Sequence, residues 1–368
     1  MRIGILTLPL HTNYGGILQA YALQTVLERM GHEVSLISIK TKRKSGMIGI
    51  LRYWILSPIK QFFIRNFVPA QYSGNRGYYT SKFIKKWIHR DFFTSYYNIS
   101  QEKYDAIVVG SDQIWRKQYV CESNKLPIES SFLDFAMHWD IKRISYAASF
   151  GTEEWEYNDE QTKHCRELIK LFDYVSVREK SGVALCKDYL QHNAKVVLDP
   201  TFLLKKNDYL KLLNKNINIK GRYLMTYILD ENEINSKIIN IIVEKLCLNI
   251  YQANVPGIDS KDDVKKRTVQ PPLENWLAGF ANSEFVVTDS FHACVFSIIF
   301  NKPFVVIPNI ARGSSRFDTL LETFNQKFRL INSIEKFKLC NEILEKPNCL
   351  ENSDKIKESY SFLINSLK

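Results

Sequence analysis

The stretch FVVTDSFHACVFSIIFNKPFVVIPNIARGSSRFD, residues 285–318, leaves the chain few options. Phe285–Thr288 is short, apolar and partly β-branched, and reads as a buried strand. Asp289 and Ser290 are cap-type residues, and the apolar run Ala293–Phe300 reads as the helix behind them. Asn301-Lys302-Pro303 stops that helix, and Phe304–Ile307 reads as a second buried strand. His292 then falls in the first turn of a helix that begins at the C-terminal end of a strand. Open α/β sheets bind ligands there, and free backbone N–H groups favour anions there. Arg312 and Arg316 bracket Gly313-Ser314-Ser315 in the following loop. One histidine and two arginines at a helix start suit a small, multiply charged anion. The alternative is that Asp289 and Ser290 only cap, His292 is a partly buried polar residue, and the arginines are solvated.

The amino terminus repeats the theme. RIGILTL is a buried-strand pattern, HTNYGG a turn cluster, and Ile17–Met30 has helical spacing of its apolar residues. Gly31 ends that helix and Val34–Ile39 is the next strand. The loop is not G-x-G-x-x-G, so no dinucleotide fingerprint is present. Gly15 and Gly16 at the helix start let a ligand approach the backbone, or serve turn geometry alone. Further on, a strand ends in Gly110-Ser111-Asp112, so that Ser111 and Asp112 mark a site edge, although capping is a commoner use of Asp112. Tyr174–Val177 delivers Arg178 to a strand end. Asp199-Pro200-Thr201 reads as the joint between two domains, because proline cannot continue a ladder. The expected organisation is a Rossmann-like domain over residues 1–200 and a second over 201–368, whose last helix packs back on the first.

Charge is unevenly placed. Of the formal net charge of +11, residues 41–100 carry eleven basic residues against the single acid Asp91. Within this block lies GMIGILRYWILSPIKQFFIRNFVP, too charged to span a bilayer and too apolar for a solvated face. A basic amphipathic helical insertion is expected, with Tyr53, Trp54, Phe62 and Phe63 at headgroup depth on an anionic membrane surface. Each basic residue there contributes about 1 kcal/mol. A helical hairpin packed on the domain, or a protein partner, are the competing readings. No nucleic-acid motif is present. The N-terminus has no signal-peptide pattern, and the seven cysteines are scattered without Cys-x-x-Cys spacing, so a cytoplasmic protein with reduced thiols and no metal site is expected.

NYGGILQAYAL (13–23), YDAIVVGSDQIW (104–115), SYAASFG (145–151), YVSVREKSG (174–182), VVLDPTFLL (196–204) and VTDSFHACVFSIIFNKPFVVIP (287–308) together resemble the polysaccharide pyruvyl transferase family. The resemblance implies an α/β fold of two Rossmann-like domains facing a cleft, glycosyltransferase-B-like. It implies transfer of the enolpyruvyl unit of phosphoenolpyruvate to a sugar, closed into a pyruvate ketal, with no cofactor. His292 takes the family's helix-start position as general acid or phosphate donor. Asp112 is the candidate base, Arg178, Arg316 and Arg312 the anion clamps, and Ser290, Ser111, Asn13 and Gly15 further substrate contacts. Several relatives have arginine where this chain has Ser290. Acceptors in such pathways are often lipid-linked saccharides, here of galactose type, which places the enzyme at the inner face of the cytoplasmic membrane. A nucleotide-sugar glycosyltransferase and a non-catalytic membrane-peripheral scaffold are the alternatives.

Overall fold

The computed structural model describes residues 1–40, 76–213, 217, 219–254, 269–308, 315–335, 337–350 and 353–368. Elements are numbered within these residues. The first sheet contains β1 (Arg2–Leu6), β2 (Glu33–Ile39), β3 (Arg90–Phe93), β4 (Ala106–Asp112), β5 (Lys142–Ala148), β6 (Tyr174–Val177) and β7 (Lys195–Val196). All its pairings are parallel, in the order β3-β2-β1-β4-β5-β6-β7. The second contains β8 (Tyr223–Tyr227), β9 (Asn249–Gln252), β10 (Phe285–Thr288) and β11 (Phe304–Val306), again parallel, in the order β11-β10-β8-β9.

Parallel strands must be covered on both faces, and the β4 sequence AIVVGSD is accordingly buried along its whole length. Alternation sorts its side chains. Ala106 and Val108 join the core shared with α1 (Tyr14–Arg29). Ile107 and Val109 join the opposite core with Cys165, Leu168 and Ile169 of α3 (Asp159–Ile169), and Leu185 and Leu190 of α4 (Lys180–Leu190). The α1-side core runs on without a break into Trp276 and Phe280 of α7 (Leu273–Asn282) and Phe296 of α8 (Phe291–Ile299). The α/β class with two Rossmann-like units holds.

The block read as an insertion is corrected in its second half. β3 pairs with β2 from Leu36↔Arg90 to Ile39↔Phe93, so residues 90–93 belong to the sheet and the preceding segment is a crossover. Before it, α2 (Tyr78–Trp87) buries Phe83 and Ile84, and Phe83 and Trp87 meet Tyr21 of α1 edge-on. Its apolar side therefore faces protein rather than lipid, while Lys82, Lys85 and Lys86 stand on the exposed side. Tyr53, Trp54, Phe62 and Phe63 lie outside the described residues, as does Arg312. Among the described residues no helix is long and apolar enough to cross a membrane.

The last helix, α11 (Asp354–Ser366), lies on the first sheet's side of the molecule: Ser359 Oγ accepts from Leu198 N at 2.9 Å, and Phe362 meets Tyr146 and Tyr174. On the cleft side, Tyr14 of α1 inserts between Tyr227 and Trp276, with ring centroids 6.0 and 5.9 Å away, and its hydroxyl donates to the Pro271 carbonyl. It is 1% exposed, so a single aromatic from the first unit is fully seated in the second. Replacing it should open a cavity at the junction. Tyr14→Ala is expected to lower unfolding free energy by about 3 kcal/mol, measured as a reduced urea midpoint.

Candidate active site

Each sheet reverses its winding between two neighbouring strands: β1 and β4 in the first, β8 and β10 in the second. The crevice beyond such strand ends is where α/β sheets take ligands. Here the two crevices face each other. A cleft of about 250 Å³ lies between them, lined by Leu8, Asn13, Asp112 and Gln113 on one side and Leu229, Ser290, His292 and Arg316 on the other.

The first wall is built by a polar network at the β1/β4 ends. Gln19 of α1 donates to Thr7 Oγ1 at 3.1 Å and Gly16 O at 2.9 Å, and accepts from Ser111 N at 3.1 Å. Thr7 Oγ1 in turn donates to Ser111 O at 3.0 Å. These bonds fix the position of Asp112 at the end of β4. Asn13 caps α1, its Oδ1 accepting from Gly16 N at 3.1 Å.

The second wall starts at β10. Thr288 Oγ1 donates to Tyr227 O at 2.7 Å and accepts from Ser290 N at 3.0 Å, which turns the chain into α8. Two expectations change here. Asp289 does not cap α8; it accepts from Leu229 N and Asp230 N at 2.8 and 2.9 Å, bracing the loop after β8. Ser290 occupies the N-cap position but its side chain makes no capping bond. Asn301, in the left-handed region at φ 53°, ends the helix before Pro303.

Between the walls sits a carboxylate that the strand-by-strand sequence reading passed over. Asp199 is 1% exposed. Its Oδ1 accepts from Thr201 N at 3.1 Å and Thr201 Oγ1 at 2.7 Å. Its Oδ2 accepts from Arg178 Nη1 at 2.8 Å and Ser111 Oγ at 3.1 Å, and lies 3.5 Å from His292 Nε2. The 3.5 Å separation is at the outer edge of hydrogen-bond reach, so the imidazole is held by its packed position more than by a short bond. Burial alone would raise the Asp199 pKa, but the His292 imidazole, the Arg178 guanidinium and the Thr201 hydroxyl more than offset it. They hold the carboxyl well below the ordinary range.

His292 is also fixed from the other side. A Cβ on Gly15 would stand 2.2 Å from both Cγ and Nδ1 of the imidazole, so the start of α1 presses on the ring and only glycine fits. Arg178 is corrected from clamp to brace. Its side chain is 2% exposed, with Nη1 on Asp199 and Nη2 on Asp112 Oδ1 at 3.3 Å. Burial would lower its pKa, but Asp199 and Asp112 outweigh that and raise it, so the guanidinium stays charged. Ser111, expected to touch substrate, is wholly buried and donates to Asp199 instead.

Arg316, in the first turn of α9 (Ser315–Thr323), does reach the cleft. Burial, with repulsion from Arg178, brings its pKa down to about 10, which leaves it cationic at neutral pH. The Phe291 ring touches both guanidinium groups, with Arg178 Cζ at 4.4 Å and Arg316 Cζ at 5.5 Å from its centroid. Thus His292, Asp112, Arg316, Ser290 and Asn13 gather around one volume, while Gly15, expected to touch substrate, packs against the His292 ring instead, and Arg178 and Ser111 lie buried behind. Gln19, Thr201 and Asp199 were missed. Asp199 had one signal, a carboxylate at the C-terminal end of a strand, which the following proline disguised as a chain joint. Among the described residues, no group of three or more His, Cys, Asp or Glu is placed to hold a metal ion.

The carboxyl of Asp199 has an ordinary pKa of 3.8 and a much lower one in the fold. A depressed carboxyl contributes stability that is present above the unfolded value and lost as pH falls beneath it. Asp199→Asn should therefore destabilise the chain by about 3–5 kcal/mol near neutrality. Its deficit against wild type should narrow below about pH 4. Urea unfolding across that range measures both.

No curated protein matches the chain. Among solved structures, it is similar to UDP-bound MnaA of S. aureus at 12% identity, with 100% of this chain and 96% of that chain covered and a TM-score of 0.50. It is also similar to UDP-GlcNAc 2-epimerase from Neisseria meningitidis bound to UDP-GlcNAc, at 10% identity, 100% and 99% coverage and a TM-score of 0.48. The S. aureus likeness is one of fold alone, and it agrees with the glycosyltransferase-B-like arrangement of two Rossmann-like units about a cleft. A family model adds what the fold cannot: it matches residues 13–310, most of the length, and the chain therefore belongs to the polysaccharide pyruvyl transferase family and is a transferase.

Proposed function

We propose that the chain moves the enolpyruvyl unit of phosphoenolpyruvate onto two hydroxyls of a sugar, forming a pyruvate ketal and releasing inorganic phosphate. The observation that carries this reading is the His292–Asp199 pair at the uncapped start of α8, on one cleft with Arg316 and Asp112. Phosphoenolpyruvate carries a phosphate and a carboxylate. A helix N-terminus and a buried guanidinium suit such a doubly anionic donor. Ser290 stands where several relatives have arginine, and Arg316 supplies the cation in its place.

In the proposed reaction His292 protonates the methylene carbon of the donor. Asp199 faces Nε2, which leaves Nδ1 as the proton-donating nitrogen. A sugar hydroxyl adds to the central carbon and yields its proton to Asp112. A second hydroxyl then forms the other C–O bond while the C–O bond to phosphate breaks, and phosphate leaves with the electron pair. One hydroxyl proton replaces that given by His292, and the other leaves with phosphate or water. Arg178, held on Asp112 and Asp199, keeps the base and the acid-orienting carboxylate apart.

The acceptor we propose is a galactose-type residue of a lipid-linked glycan precursor at the inner face of the cytoplasmic membrane. The basic block at 41–100 and the outward lysines of α2 support an anionic lipid surface as partner.

Incubation with phosphoenolpyruvate and candidate galactosides should release phosphate and add one pyruvate ketal, seen by mass spectrometry. His292→Ala should remove that turnover, and a variant with full activity would exclude His292 from proton transfer. Thermal stabilisation by nucleotide sugars but not by phosphoenolpyruvate would point to glycosyl transfer instead. Gly15→Ala should displace the imidazole and lower kcat by about 100-fold or more, and it should lower the urea midpoint as well, because the buried ring must shift off Asp199.

A further inference from the structure

The first-unit wall of the cleft carries a second set of groups that the donor chemistry does not use. After β4 the chain makes a short π-helical turn, Gln118–Ser123, and Tyr119 on that turn lines the cleft together with Gln113 and Asp112. Such turns recur at functional sites because they present a side chain out of the regular helical register. Tyr119 is half-buried. Arg116 covers one face of its ring, with Cζ 5.3 Å from the centroid. Its hydroxyl makes no hydrogen bond among the described residues, whereas the buried tyrosines 14, 104, 146, 157 and 209 all donate to a protein oxygen.

The platform is held rigidly from behind. Trp115 stacks on Phe132 at 4.9 Å and 5°, Trp115 Nε1 donates to Ser131 O at 3.1 Å, and Tyr157 donates to Trp115 O. Glu156 accepts from Gln118 N at 3.4 Å and approaches Arg116 Nε at 3.5 Å. Gln113 is fixed too: Arg116 Nη1 donates to its Oε1 at 3.1 Å, and Gly151, at φ 68°, leaves the space that any Cβ would fill at 1.9 Å from that oxygen. With Oε1 engaged, the Gln113 amide keeps two N–H donors, and Gln113 lines the cleft together with Asp112.

A fixed aromatic surface, an amide donor and a carboxylate acceptor are the groups that recognise a pyranose. The ring stacks on the apolar C–H face of the sugar, and the amide and carboxylate bond its hydroxyls. None of the three is cationic, so this wall does not duplicate the anion-binding side. We propose that Tyr119 is the stacking platform for the acceptor sugar and that Gln113, with Asp112, selects its hydroxyl pair. This deepens the pyruvyl-transfer reading and rests on it for the identity of the second substrate.

Binding of the sugar alone can be measured without turnover. Methyl β-galactoside would be titrated into the full chain by calorimetry, for wild type, Tyr119→Phe, Tyr119→Ala and Tyr119→Leu, with phosphoenolpyruvate-induced thermal shift recorded for each. The leucine variant keeps apolar bulk without the ring and stands in if the alanine variant does not fold. The expected result is a Kd for the galactoside raised about tenfold or more without the ring, and less in Tyr119→Phe. The phosphoenolpyruvate shift should stay the same in all four proteins. Unchanged galactoside affinity in the ringless variants, or no galactoside binding by wild type, would overturn the platform. A wild type that binds galactoside through Tyr119 yet ignores phosphoenolpyruvate would sink the donor assignment and leave the sugar subsite standing.

Discussion

A carboxylate sealed from water persists only where donors and cations surround it. Asp199 has backbone and hydroxyl donors from Thr201, the Ser111 hydroxyl, the Arg178 guanidinium and the His292 imidazole about its two oxygens. Those groups come from β4, the end of β6, the turn after β7 and α8. One ionised oxygen thus constrains both sheets and the imidazole between them. The arrangement is costly to perturb, because removing either partner leaves charge without compensation. It also explains how Arg178 can be deeply buried yet charged: its two nitrogens meet two carboxylates rather than one.

The constraint reaches outward through contacts that tolerate no added atoms. Gly15 leaves room for the His292 ring, Gly151 for Gln113, and Tyr14 fills the space beside Tyr227 and Trp276. The first two are close approaches of backbone to a side chain that lines the cleft. The third fixes α1 against the second unit, so that the Gly15–His292 contact holds its spacing. Packing at the junction and placement of the imidazole are one problem, because three consecutive residues, Tyr14, Gly15 and Gly16, begin the same helix.

Much of this was legible from local pattern. FVVT, ACVFSIIF and FVVI declared a strand, helix and strand, and β10, α8 and β11 follow them within a residue or two at each end. The strand ends carrying Asp112 and His292 were legible for the same reason: apolar runs that stop abruptly at polar residues. Partners distant in sequence were not. Arg178 pairs with carboxylates 21 and 66 residues away, so nothing near it distinguishes a clamp from a brace. Ser111 looked like a contact because it is small and polar at a strand end, but its hydroxyl points inward to Asp199. The basic block misled differently. Its charge density suggested a separate insertion, whereas Phe92 and Phe93 sit in a strand whose pairing with β2 depends on register, which composition does not record.

The two walls of the cleft differ in chemistry in a way that follows from their construction. The second unit presents a helix start, an imidazole and Arg316, all suited to negative charge. The first presents Asp112, Gln113 and Tyr119, suited to hydroxyls and a sugar face. The proposed reaction, which joins an anionic donor to a neutral polyol, needs both surfaces and needs them at a fixed separation. Were both on one sheet, their spacing would be set by that sheet alone. Split across two, it is set by the groups that bridge the sheets, and Asp199 is among those that touch residues of both walls directly. Its carboxylate links the imidazole of one wall to the Arg178–Asp112 pair of the other, so the ionisation that stabilises the junction also fixes where the imidazole stands relative to the Asp112 carboxylate.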